Sequence, residues 1–178
     1  MAGLQIDVSI DRNAFAQYAD AVAPSSLLKL IGIRFTSFLT DRFENNGESD
    51  EFSLPGWVPL KPSTIAMRRN GSSRPLQDTG QLKQSYLGQP ATDNQTYVEV
   101  GSNKEYASYH EEGTAPYEIH VKSARMLAAK LSAGGWVIFG KRVRHPGLPA
   151  RPVLPSRAIA EAMMVEEFES MLEPLGDA

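Results

Sequence analysis

Asp78-Thr79-Gly80 is the first place in the sequence where residue types and spacing suggest chemistry. In an aspartic hydrolase such a tripeptide presents one of two carboxylates that share a proton and activate water. That arrangement needs a buried apolar strand before the aspartate and a second carboxylate facing it. The residues before Asp78 are Arg74-Pro75-Leu76-Gln77, and a proline with polar neighbours does not build a central strand. Val137-Ile138-Phe139-Gly140 could cross behind such a site, but with a single tripeptide only a homodimer could assemble the pair. The competing reading is architectural. Asp78 caps a helix start, Gln81 stands three residues on at the capping-box spacing, and Leu82 and Tyr86 share a face. This favours Asp78, Thr79 and Gly80 as a structural turn, with a homodimeric hydrolase using Asp78 as the rival.

The remaining candidates for chemistry are sparse. His110, His120 and His145 are the three histidines, and none has a second histidine at the spacing that makes a metal or hydrolase site convincing. No serine lies in Gly-x-Ser-x-Gly and no glycine-rich loop could cradle a phosphate. The expectation is a protein that is not an enzyme and takes no cofactor or metal. Lys141, Arg142, Arg144 and His145 form a basic cluster that could meet phosphates or an acidic partner, or else be a solvated hairpin edge. Tyr106, Tyr109 and Tyr117 form an aromatic stripe of the kind used in packing and interfaces.

The elements that must position these residues follow from periodicity. Leu4, Ile6, Val8 and Ile10 alternate with polar residues, which predicts a first strand, and Asp11 can cap a short helix over 12–22 that Pro24 interrupts. Leu27, Leu28, Ile31, Phe35, Phe38, Leu39 and Arg42/Phe43 recur at three- and four-residue steps, so a long core helix runs from Ser25 or Ser26 to the stop at Asn45-Asn46-Gly47. Residues 47–73 are rich in Pro, Gly, Ser and charge around Trp57 and form an irregular excursion. A strand over 96–101 and a short helix closed by Gly113 come next, then a strand with Tyr117, Ile119 and Val121 on one face. Residues 122–132 fit a helical stripe locally and a strand by context, and 134–140 with 141–145 suggest a hairpin. Four prolines make 145–155 an extended connector, after which Ser156 caps a last helix with Ala158, Ile159, Ala162, Met163, Val165, Phe168 and Leu172 on its apolar face.

Composition bounds the answer. A chain of 178 residues with 42% hydrophobic residues has enough for one core, so a single domain over 1–178 is expected. The absence of cysteine removes disulfide and thiolate chemistry. A net charge of -3 offers no global attraction to nucleic acid, and no apolar run is long enough to cross a bilayer, so no membrane association is expected.

In order, the segments GWVPLKPSTIAMR, PLQDTGQLKQSY, VEVGSNKEYASYHEEGT and HPGLPARPVLPSR before an acidic helix resemble the phage virion morphogenesis family, the tail-completion or neck proteins of long-tailed bacteriophages. The resemblance covers roughly residues 57 to 175. It implies an α+β fold, a twisted antiparallel sheet packed by the long helix of the N-terminal half and by the C-terminal helix. It also implies a structural virion protein made in the cytoplasm of a bacterial host and residing at the head-tail junction. There it would complete the tail and join it to the head connector as a subunit of a homo-oligomeric, hexameric ring. The implied partners are further copies of the chain, the head connector or adaptor, tail terminator or tube proteins, and DNA that passes the channel without sequence-specific binding. A tail terminator that caps the tube is the nearest alternative. Trp57, Tyr106, Tyr109, His110, Arg142, Arg144 and Arg151 are the expected interface residues, Arg151 because a bidentate donor on a stiff proline-flanked strut suits a carboxylate across a subunit boundary.

Overall fold

The computed structural model describes residues 5–9, 24–86, 97–123 and 125–176. The helix expected over 12–22 lies outside them. The described elements are β1 (Gln5–Ser9), α1 (Pro24–Glu44), α2 (Pro62–Met67), α3 (Gln81–Tyr86), β2 (Tyr97–Gly101), α4 (Ala107–Glu111), β3 (Tyr117–His120), β4 (Leu127–Lys130), β5 (Trp136–Gly140), β6 (Arg142–His145) and α5 (Arg157–Gly176). The α+β class is as expected, with both long helices in place. The sheet is divided among the described residues into three two-stranded antiparallel ladders, β1 with β2, β3 with β6 and β4 with β5.

The core grows from α1. Its apolar stripe, Leu27, Leu28, Ile31, Phe35, Phe38, Leu39 and Phe43, is buried throughout. It packs on α5, on β2 and on α3, adding Met163, Val98, Val100, Leu82 and Tyr86 to one cluster. Each such side chain withdrawn from water contributes about 1.5–3 kcal/mol before the entropy of ordering is charged against it. The helix stops where the sequence changes chemistry. Asn46 takes a left-handed φ of 52°, and the Gly47 N–H closes back on the Arg42 carbonyl at 2.6 Å, a Schellman-type end. Gly47 is needed for a second reason: at φ 93° a Cβ there would sit 2.5 Å from Cγ of Trp57. Glycine at this position lets the indole lie flat against the helix end.

The excursion over 47–73 is ordered within the chain. Ser49 and Leu54 form an isolated bridge, Phe52 packs edge-on against Phe38, and Arg34 of α1 ties Glu51 to α1. Helix α2 opens at Pro62, where the missing N–H costs nothing.

The strand pairing decides one open reading and corrects one expectation. Residues 122–132 are strand where they are regular, at Leu127–Lys130, so context overrides local helical spacing. Segments 134–140 and 141–145 do not pair with each other. β5 pairs β4 with Lys130 opposite Trp136 and Ala128 opposite Ile138, while β6 pairs β3 with Tyr117 opposite His145 and Ile119 opposite Val143. Gly140 passes the chain from one ladder to the next, and a Val121 N–H to Lys141 carbonyl bond of 3.1 Å links the two ladders. Together they form one long hairpin arm, residues 117–145, based on the Thr114–Leu148 bridge.

Candidate interaction site

The proline-rich connector is where the sequence motifs meet. Pro146, Pro149, Pro152 and Pro155 lack N–H groups, so this segment cannot join a ladder continuously, yet Arg151 and Val153 are buried. Its remaining polar groups therefore need partners from elsewhere. The Pro152 carbonyl accepts from Nη2 of Arg42 at 2.6 Å and from Nε1 of Trp57 at 2.8 Å. The next two N–H groups, of Val153 and Leu154, donate to the Glu111 carboxylate at 2.9 and 3.2 Å. The Arg151 N–H donates to the His110 carbonyl at 2.6 Å. Upstream, Gly113 takes φ 74° under the connector, and a Cβ there would be 2.7 Å from the Leu148 carbonyl.

Around these bonds stands a buried polar clamp. The Tyr86 hydroxyl donates to Glu111 at 2.8 Å. Phe43 meets Trp57 edge-to-face at 5.5 Å, and the Arg42 guanidinium lies 5.6 Å from the Trp57 ring centroid. Burial raises the Glu111 pKa, opposed by the Tyr86 hydroxyl, the Val153 and Leu154 N–H groups and the Arg42 charge. Burial also lowers the Arg42 pKa, with Glu111 acting the other way. The Tyr86 phenol is pushed up by burial first, then by the Glu111 charge and hydrogen bond. Nε and Nη1 of Arg42 and Nδ1 of His110 are buried without a hydrogen-bond partner among the described residues. Burial, then the Arg151 charge, lowers the His110 pKa.

The expected interface residues divide between this clamp and the surface. Trp57 and Arg151 are buried, and Arg151 commits Nε to the Val58 carbonyl at 2.9 Å. Its pKa is lowered by burial, then by Arg68. His110 is half-buried, with its ring edge-on to Tyr106 at 6.2 Å. Tyr106 and Tyr109 are exposed beside and on α4, and Arg142 and Arg144 are exposed on β6. Sequence reasoning placed Arg42 and Tyr86 only as positions on helix faces and did not mark Glu111, although a charged Arg42 inside the apolar stripe of α1 was a visible signal.

Asp78 is not in the clamp. Its carboxylate accepts the Arg69 N–H at 3.2 Å and lies 3.7 Å from Nε of Arg68. The expected cap on the following helix is not what it makes. α3 starts at Gln81, and its first turn closes from the Gln84 N–H to the Gly80 carbonyl, with Gly80 at φ 74°. The carboxylate instead joins the excursion to the turn. Among the described residues no three His, Asp or Glu side chains gather as a metal site, and no helix is long and apolar enough to cross a membrane.

The arm contrasts with the clamp. None of its described residues is buried. Trp136 and Ile138 are 66% and 60% exposed; with their cross-strand partners Lys130 and Ala128 they form one face of the β4–β5 ladder. Glu118, His120, Arg142 and Arg144 likewise form one exposed face of the β3–β6 ladder, and Tyr117 stacks on His145 at 4.8 Å. The tip touches the excursion where the Ser132 N–H donates to the Ala66 carbonyl at 2.7 Å.

This architecture keeps its polar groups inside to hold a connector and presents an apolar and cationic hairpin outside, an arrangement suited to assembly with other proteins. Neither among curated proteins nor among solved structures does the chain find a match. The model of the phage virion morphogenesis family matches residues 12–173, a span that includes α1, the clamp, the arm and most of α5. The chain therefore belongs to the phage virion morphogenesis family, and its role lies in the structure or assembly of a phage virion.

Proposed function

We propose that this protein is a ring subunit, six to a ring, that completes the phage tail and joins it to the head connector. The observation that carries the reading is the arm. An exposed hairpin of this length, with none of its described residues buried and with Trp136 and Ile138 turned outward, contributes little to its own core. Contiguous exposed apolar surface of this kind marks a protein contact. Tyr106, Tyr109, Arg142 and Arg144 are the surface residues proposed to touch neighbours. Trp57, His110 and Arg151 act from inside, by holding the connector on which the arm is based. DNA passes through the ring without being read in sequence, and neither catalysis nor a cofactor is part of the role.

The test is a phage lacking this gene, complemented with the tagged chain and imaged by electron microscopy. Label at the head-tail junction, with unjoined heads and tails in the uncomplemented lysate, is the expected result. Label on tails alone, with heads absent from the complex, would replace this reading by a tail terminator that caps the tube.

A further inference from the structure

The charge of this chain is strongly divided. Residues 117–145 contain Lys122, Arg125, Lys130, Lys141, Arg142 and Arg144 against the single acid Glu118, whereas the rest of the chain has twelve Lys and Arg against twenty Asp and Glu. The acidic excess is sharpest on α5, where five glutamates face one arginine. On its outer surface Glu161, Val165 and Glu169 follow at four-residue steps and are all exposed; Val165, expected on the apolar face, is instead 53% exposed. Residues four apart lie one above the other on a helix. Arg157, one turn earlier, pairs with Glu161 at 2.7 Å, and from there the row presents an apolar side chain bracketed by two carboxylates. The arm presents the reverse: Trp136 and Ile138 beside Lys130, with Lys141, Arg142 and Arg144 following along the same strand path.

We infer that the exposed face of the arm docks on the Glu161–Val165–Glu169 row of α5 in a second copy of the chain. The inference rests on the proposed assembly of the protein as an oligomer and names the surfaces that make it. Two different patches on one chain that complement each other form a head-to-tail contact, which repeats from subunit to subunit and closes into a ring when the rotation allows. The apolar residues supply the buried centre, and the surrounding charges fix orientation and exclude the wrong register. A like-with-like contact is disfavoured, because arm against arm brings six cations to six. Duplex DNA is the other anionic partner the arm could meet. The exposed Ile138 and Met126 and the acidic row on the same chain favour protein over nucleic acid.

The absence of cysteine gives a clean test. Ile138→Cys and Val165→Cys chains are purified separately, mixed and oxidised, and the double variant is oxidised alone. The expected products are a covalent heterodimer from the mixture and a ladder of higher oligomers from the double variant, with little dimer from either single variant alone. In parallel, Arg142→Glu with Arg144→Glu should weaken self-association by about tenfold or more, and adding Glu161→Lys with Glu169→Lys to the same chain should restore it. Circular dichroism and the thermal midpoint check that each variant is folded. No 138–165 cross-link, or a cross-link between two copies of position 138, overturns the docking. So does self-association that survives the arm reversal; rings still seen in virions would then keep the assembly reading while moving its interface elsewhere. Loss of duplex DNA binding by the arm variant with oligomer size unchanged would assign the arm to nucleic acid and overturn the inference.

Discussion

The clamp and the arm are both built from polar and aromatic residues, yet they solve opposite problems. In the clamp, Arg42, Trp57, Tyr86 and Glu111 are directed inward and each is matched to a group of the connector or to another member. In the arm, Trp136, Arg142 and Arg144 face solvent, and the strands bond chiefly to one another. Desolvation makes the first set essential to stability and leaves the second nearly neutral, since an unmet buried polar group costs what an exposed one does not. A substitution in the clamp should therefore be felt in folding, and one in the arm in association.

The strongest way to break this contrast is at Glu111. Glu111→Ala strands the Tyr86 hydroxyl and the Val153 and Leu154 N–H groups and leaves Arg42 without its nearby opposite charge. The expected loss is about 3–5 kcal/mol, measured as a shift in the urea midpoint. Glu111→Gln keeps one acceptor but turns an NH2 toward a donor, so it should lie between wild type and alanine. Trp57→Phe is the milder cut. It removes the indole bond to the Pro152 carbonyl and should cost about 1–2 kcal/mol. An effect of either glutamate variant no larger than that of an arm variant would erase the distinction drawn between the two regions.

These residues also show what a sequence discloses and what it withholds. Helix α1 was legible because its core residues are neighbours at three- and four-residue steps, and Asn45-Asn46-Gly47 stops it with local chemistry. The prolines of 145–155 likewise declared an extended path. What satisfies that path was hidden, since the partners come from positions 42, 57, 86 and 111 and no local spacing links them. The arm was misread for a related reason. Gly140 sits where a turn between β5 and β6 would be drawn, but strand pairing is decided by distant partners, so the chain runs straight on and pairs with β3 and β4 instead. Of the expected contact residues, Trp57 and Arg151 were conspicuous through their neighbours, yet exposure was beyond reach of the sequence, and both turn inward.

The pH dependence of folding sharpens the comparison at smaller amplitude. Burial and Arg151 hold the His110 pKa below its ordinary value of 6.5. The unfolded chain then binds a proton that the folded chain refuses, so stability is complete above the unfolded pKa and falls as pH drops below it. The slope from one group cannot exceed about 1.4 kcal/mol per pH unit. Glu111 works in the other direction, because a carboxyl whose folded pKa is raised loses stability as pH rises from its ordinary value of 4.5. Because the two oppose each other, the test is a difference: from pH 7.5 to 5 the wild type should lose urea midpoint relative to His110→Gln.

The smallest effect belongs to Asp78. The carboxylate is partly exposed, 3.7 Å from Arg68, and exposed ion pairs contribute about 0–1 kcal/mol. Its more specific contact is the bond accepted from the Arg69 N–H, which an asparagine oxygen can still accept. Asp78→Asn should therefore be almost silent in stability and in virion yield. Asp78→Ala should cost about 0.5–1.5 kcal/mol through the lost acceptor. A carboxylate shared across a homodimer for hydrolysis makes the opposite forecast, because the isosteric amide cannot hold or deliver the proton. In that case Asp78→Asn would be as damaging to function as alanine while folding normally, and the ordering of the two substitutions, read from plaque yield beside the urea midpoint, separates a turn from a catalyst.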